Sequence, residues 1–177
     1  GGAELFGHAG LEADHEILHL ALTSLEQAGA GELHLALGHI GIYRALIAEA
    51  GMNDEHEREL FAAIERKQYS ALDALIDRVV GDKVVAGMLK ALPHLHGDDE
   101  ILAQARTAFA GAPAAVASAL DQLTALSCAV RERHPQVTLY FDLAELRGYE
   151  YHTGMVFAAY VPGYGQALAK GGRFFFF

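Results

Sequence analysis

An α+β fold is predicted from three features of the 177-residue sequence. Strand-like alternation stands near the amino end, a long block of helical periodicity follows, and alternation returns after Pro135. Helices gathered into one block, with strands on either side, belong to α+β architecture rather than to a repeated βαβ unit.

From Asp14 to Ala28 the apolar residues Ile17, Leu18, Ala21, Leu22, Leu25 and Ala28 share one helical stripe, and Gly29 and Gly31 end it. ELHLALG (32–38) alternates with period two, which reads as a strand. Helical stretches are then expected at 41–50, 54–67, 69–80, 82–92, 98–109 and 113–133. Gly51 with Asn53 and Asp54, Gly81 with Asp82, Pro93, Gly97 with Asp98, and Pro113 punctuate them. VTLYFDL (137–143) sets Val137, Leu139 and Phe141 against Thr138, Tyr140 and Asp142. MVFAAYV (155–161), the turn PGYG (162–165) and QALAKGGR (166–173) complete what reads as an antiparallel meander. The expected division is a core from 1–40 and 135–177 with a helical insertion at 41–134.

Hydrophobic residues make up 52% and charged residues 20%, enough apolar material for a core. No apolar run reaches the roughly 18–20 residues that span a bilayer, and the amino end lacks signal-peptide features. With Cys128 the single cysteine, no internal disulfide forms, and a cytoplasmic setting is expected. Cys128 itself reads as a small buried residue. The net charge of −10 argues against a broad nucleic-acid-binding face. The basic run RER (131–133) reads as a solvated helix end. GGAELFG and GGRFFFF read as boundaries of a longer chain, and no function is attached to Phe174–Phe177.

HEILH (15–19) matches the H-E-x-x-H pattern of zinc peptidases. The extended form needs Gly and His where this chain has Leu22 and Leu25, so His15 and His19 are expected to be polar-face residues. His94 and His96 (PHLHG) read as loop surface. No serine stands in a G-x-S-x-G elbow. No metal and no cofactor is expected.

Chemistry concentrates in 142–173. Arg147 offers a fork for a carboxylate or phosphate, followed by Gly148, Tyr149, Glu150, Tyr151, His152, Thr153 and Gly154, and glycines recur at 163, 165, 171 and 172. From composition alone a binding site and an ordinary ring-rich turn are about equally good readings.

RGYEYHTGMVF with GQALAKGGR resembles the histidine-specific motif of the histidyl-tRNA synthetase family, R-G-L-D-Y-Y-T-G-T-V-F-E with a hairpin ending A-G-G-R-Y-D. GAELFG (2–7) with the DHE of 14–16 resembles the second strand of class II motif 2 and the helix start after it. The resemblance spans nearly the whole chain and implies a class II aminoacyl-tRNA synthetase-like sheet. ELRGYEYHTG…VFAAYVPGYGQA looks most like the branch of ATP phosphoribosyltransferase regulatory subunits, with Glu150, His152 and Ala158 departing from the synthetase pattern.

That branch implies a non-catalytic subunit. It binds free L-histidine, associates with the short-form catalytic subunit of histidine biosynthesis, and self-associates. A working histidyl-tRNA synthetase is the alternative, since it carries the same arginine. Carried over by residue, the resemblance implies that Glu4 accepts a hydrogen bond from the ligand imidazole and Arg147 faces its carboxylate. Tyr151 and His152 then line the imidazole side, and Gly171, Gly172 and Arg173 form the floor. Phe174 and Phe175 stand where the pattern has Tyr-Asp.

Overall fold

The computed structural model describes residues 1–8 and 10–174, so Phe175, Phe176 and Phe177 lie outside the described residues. The elements in order are α1 (Leu11–Gln27), β1 (His34–His39), α2 (Ile40–Ala50), α3 (Asp54–Glu65), α4 (Tyr69–Val79) and α5 (Lys83–Ala91). A 3-10 turn (Leu92–His94) leads to β2 (His96–Gly97), α6 (Glu100–Ala108), α7 (Ala114–Arg133), β3 (Thr138–Asp142), β4 (His152–Tyr160) and β5 (Ala169–Phe174).

The helix boundaries have local causes that the sequence carries. Asn53 accepts the His56 N–H at 2.8 Å at the start of α3. Asp82 accepts the N–H groups of Val84 and Val85 at the start of α5, each satisfying a donor the helix leaves unpaired. Gly51 closes α2 in the left-handed region at φ 61°.

The α+β class holds, but the meander does not. The sheet order is β2-β3-β1-β4-β5, and β1 lies between β3 and β4. It runs parallel to β3 and antiparallel to β4. Periodicity specifies faces, not neighbours, so the insertion of an early strand between two late ones left no trace in the pattern. The pair Leu35 and Leu37, with Leu139 and Phe141, is buried on the helix side of the sheet, as the alternation implies. There α2 packs beneath β4, α7 beneath β1 and β4, and α1 beneath β5.

Cys128 is exposed, contrary to expectation. The buried face of α7 runs through Val116, Ala119, Leu120, Leu123, Leu126, Ser127 and Val130, which turns position 128 outward. Among the described residues no helix is long and apolar enough to cross a membrane.

Candidate functional site

The face of the sheet away from the helices carries the row Tyr140, Ala36, Ala158 and Lys170 across β3, β1, β4 and β5. Small residues in its centre leave a hollow of about 220 Å³. Its walls include Asp142, Glu145, Arg147, Tyr151, His152 and Lys170. Gly38 belongs to the same face. A Cβ there would stand 2.7 Å from the Asp142 carbonyl and 3.0 Å from the Glu145 Cβ, so its absence lets the 142–145 turn lie directly on β1.

Arg147 is exposed at the rim, and its guanidinium is engaged. Nε donates to Glu145 Oε1 at 2.9 Å, and Nη2 donates to Glu145 Oε2 at 2.6 Å and to the Tyr160 hydroxyl at 3.2 Å. These hydrogen bonds, Glu145 first, hold Arg147 more firmly protonated than usual. Burial alone would raise the Glu145 pKa, but the hydrogen bonds from Arg147 outweigh it and leave the carboxyl below its ordinary value. Asp142 moves the other way. Burial is the main cause of its raised pKa, reinforced by the neighbouring Glu145 charge and opposed by the Ala144 N–H.

The turn that carries Arg147 is held from below by Arg44 of α2. Its Nη2 donates to the carbonyls of Tyr149 and His152, and its guanidinium lies 4.3 Å from the Tyr149 ring centre. The Tyr149 hydroxyl donates to Glu57 of α3. Gly148 adopts φ +73°, and a Cβ there would stand 2.3 Å from the His152 ring, so the turn requires glycine. His152 Nδ1 donates to the Arg147 carbonyl at 3.2 Å. Burial lowers the His152 pKa, partly countered by that hydrogen bond, so Nε2 is left as an acceptor in the neutral ring.

Of the residues singled out in the sequence, Arg147, Tyr151, His152 and Gly171 come together around this hollow. Gly172 adjoins it, since a Cβ there would stand 2.9 Å from His152 Cδ2. Arg173 points to the helix side instead. Its Nε donates to Asp14 Oδ1 at 3.1 Å, its Nη2 bonds Asp14 Oδ2, and Nη2 also donates to Gln122 Oε1 at 3.2 Å. Glu4 is exposed in the segment 1–8, which carries no strand, and it is not among the described lining residues. Sequence reasoning missed Glu145, Asp142, Lys170, Tyr160 and Arg44. The alternation of 138–142 did place Asp142 and Tyr140 on one face, and that was the available signal.

The histidines of HEILH face a second cavity of about 490 Å³ between α1 and α7. His19 is not simple polar surface, because its Nδ1 is 2.8 Å from Nε2 of the buried His134, whose Nδ1 is 2.8 Å from Glu26 Oε1. Helix packing accounts for that face. Among the described residues no group of three or more His, Cys, Asp or Glu is placed to hold a metal. His96, read as loop surface, forms β2 and meets the Tyr140 hydroxyl at 2.8 Å.

The family model described as histidyl-tRNA synthetase matches residues 1–175. A protein of Chromohalobacter salexigens named ATP phosphoribosyltransferase regulatory subunit is 65% identical over 98% of this chain and 44% of its own length. One of the same name from Saccharophagus degradans is 44% identical with the same coverage. The chain thus spans less than half the length of these relatives. A solved ATP phosphoribosyltransferase regulatory subunit/histidyl-tRNA synthetase from Bacillus halodurans superposes with TM-score 0.80 at 26% identity, over 95% of this chain and 44% of that one. The Thermotoga maritima ATP phosphoribosyl transferase complex contains a similar fold, TM-score 0.74 at 20% identity, over 96% of this chain and 58% of that one. The sheet, its helical backing and the RGYEYHTG turn accord with these likenesses: the chain belongs to the histidyl-tRNA synthetase family.

Proposed function

We propose that this chain is the histidine-sensing part of a non-catalytic regulatory subunit of ATP phosphoribosyltransferase, acting in the cytoplasm with a short-form catalytic subunit. The observation that carries this reading is the 65% identity to a relative of that name, with the Arg147 turn lining a hollow on the open face of the sheet. In this reading free L-histidine places its carboxylate on Arg147 and its imidazole against Tyr151 and His152. Neutral His152 offers Nε2 as an acceptor for an imidazole N–H. Gly171 and Gly172 keep the floor low, Glu4 reaches the imidazole from the amino-terminal segment, and Arg173 supports the floor through Asp14. Residues 1–40 and 135–177 act as the core and 41–134 as an inserted block.

Control is by linkage. Histidine binds two states of the assembly with different affinity, and about 1–3 kcal/mol of coupling is enough for feedback. The partner carries the chemistry, the subunit self-associates, and neither nucleic acid nor a cofactor is required of it.

The test is to mix the full-length protein with a short-form catalytic subunit and follow product formation with and without histidine. Activation that histidine reverses supports the reading. No effect on that partner, together with histidine-dependent ATP–pyrophosphate exchange, replaces it with a histidyl-tRNA synthetase.

A further inference from the structure

The geometry points to Glu145 as the residue that recognises the α-ammonium of the amino-acid ligand, by exchanging its own partner Arg147 for it. The inference rests on the reading of the hollow as a histidine pocket and adds to it a second charged contact.

In the free protein the Nε and Nη2 edge of Arg147 is filled by both carboxylate oxygens of Glu145, at 2.9 and 2.6 Å. The second Nη2 proton goes to Tyr160. A ligand carboxylate entering the hollow meets this edge already closed. Glu145 is the member of the pair turned into the site, its side chain 22% exposed against 60% for Arg147. Its Cβ is fixed against β1 by the close approach over Gly38, so it cannot swing away into solvent as a whole. A carboxylate that takes the Nε and Nη2 edge of Arg147 displaces the Glu145 head group and leaves a partly buried anion without its cation, which is unfavourable unless a new one arrives.

A free amino acid brings both charges on one carbon. Its carboxylate takes Arg147 while its ammonium takes the released Glu145, and each charge in the pocket keeps a counter-charge throughout. Two hydrogen-bonded ion pairs replace one pair and a solvated zwitterion. Asp142 is less suited to the role, because it already accepts the Ala144 N–H at 3.0 Å and loses no partner when ligand enters. The pocket so built discriminates by completeness of the zwitterion: an acid lacking the amine strands Glu145, and an amine lacking the acid leaves the original pair closed.

The test is calorimetric titration of the full-length protein, wild type and Glu145→Gln, with L-histidine, imidazolepropionate and histamine. Wild type is expected to prefer histidine to imidazolepropionate by at least about tenfold, since a site built around a hydrogen-bonding group rejects the analogue lacking it. In Glu145→Gln that ratio is expected to fall towards one, and Glu145→Asp, which keeps the charge on a shorter arm, is expected to restore part of it. Unfolding midpoints of both variants identify any loss of fold. An unchanged ratio in a folded Glu145→Gln protein overturns the exchange while leaving the pocket intact. A wild-type protein that binds no histidine overturns the pocket itself, and the exchange with it.

Discussion

The guanidinium of Arg44 lies 4.3 Å from the centre of the Tyr149 ring and, through one nitrogen, ties down the carbonyls of Tyr149 and His152. One residue of α2 thereby fixes both ends of the turn that lines the hollow. The Tyr149 ring meets Tyr43 edge-on at 5.1 Å and Phe61 at a tilt of 39° and 5.7 Å, so the turn rests on an aromatic base.

Arg44→Ala should release that turn. Loss of a cation–π contact and of two charge-assisted hydrogen bonds to carbonyls corresponds to about 2–3 kcal/mol. Arg44→Lys keeps the charge but not the planar fork and should recover only part of it. Urea unfolding gives the magnitude, and amide exchange at 148–153 should rise in both variants.

Gly148 sits at φ +73° with no room for a Cβ beside the His152 ring. Gly148→Ala should cost about 1–3 kcal/mol from backbone strain and should weaken histidine binding by displacing His152. A variant with unchanged stability and affinity would show that the turn adopts another conformation in solution.

Asp14 is 4% exposed and pairs with Arg173 on the helix side of the sheet. Removing one partner leaves the other charge uncompensated, so Asp14→Ala should destabilise by about 3 kcal/mol. The double variant Asp14→Ala with Arg173→Met should regain part of that loss, because an apolar pair needs no counter-charge. Unfolding midpoints of Asp14→Ala, Arg173→Met and the double variant, each against wild type, close the cycle.

His39 caps α2 through Nδ1, which accepts the Gly41 N–H at 3.1 Å. Burial lowers its pKa, and the hydrogen bond to Gln122 offsets this only in part. The folded state therefore takes up a proton at lower pH than the unfolded chain. Stability from this residue is complete above the ordinary histidine range and falls as pH drops through about 6.5 towards the depressed folded value. His39→Asn keeps a capping acceptor without the titration and should flatten the loss of stability between about pH 7 and pH 5.

Much of this architecture was legible in the residues, and the limits are physical. The helices followed from apolar spacing and from caps at Gly51, Asn53 and Asp82. The two faces of β3 followed from its alternation. Strand order did not, because β1 pairs with β3 across about a hundred residues of intervening chain, and no local pattern records that choice. Arg147, Tyr151 and His152 were found through the motif. Glu145 and Arg44 were not, because each matters through the partner that folding brings to it. The same limit hid Asp14, an acid in the first turns of a helix whose burial becomes intelligible only with Arg173 beside it.

The most direct measurement of the central claim is calorimetric titration of L-histidine into the full-length protein, wild type and Arg147→Ala. Removing Arg147 leaves the partly buried Glu145 without its cation, so the unfolding midpoint should fall modestly and binding is compared on the folded variant. Saturable binding in wild type, weakened at least about tenfold in the variant by loss of a charge-assisted contact, is the expected result. Equal affinity in a folded Arg147→Ala protein would contradict the assignment of the hollow as the histidine site.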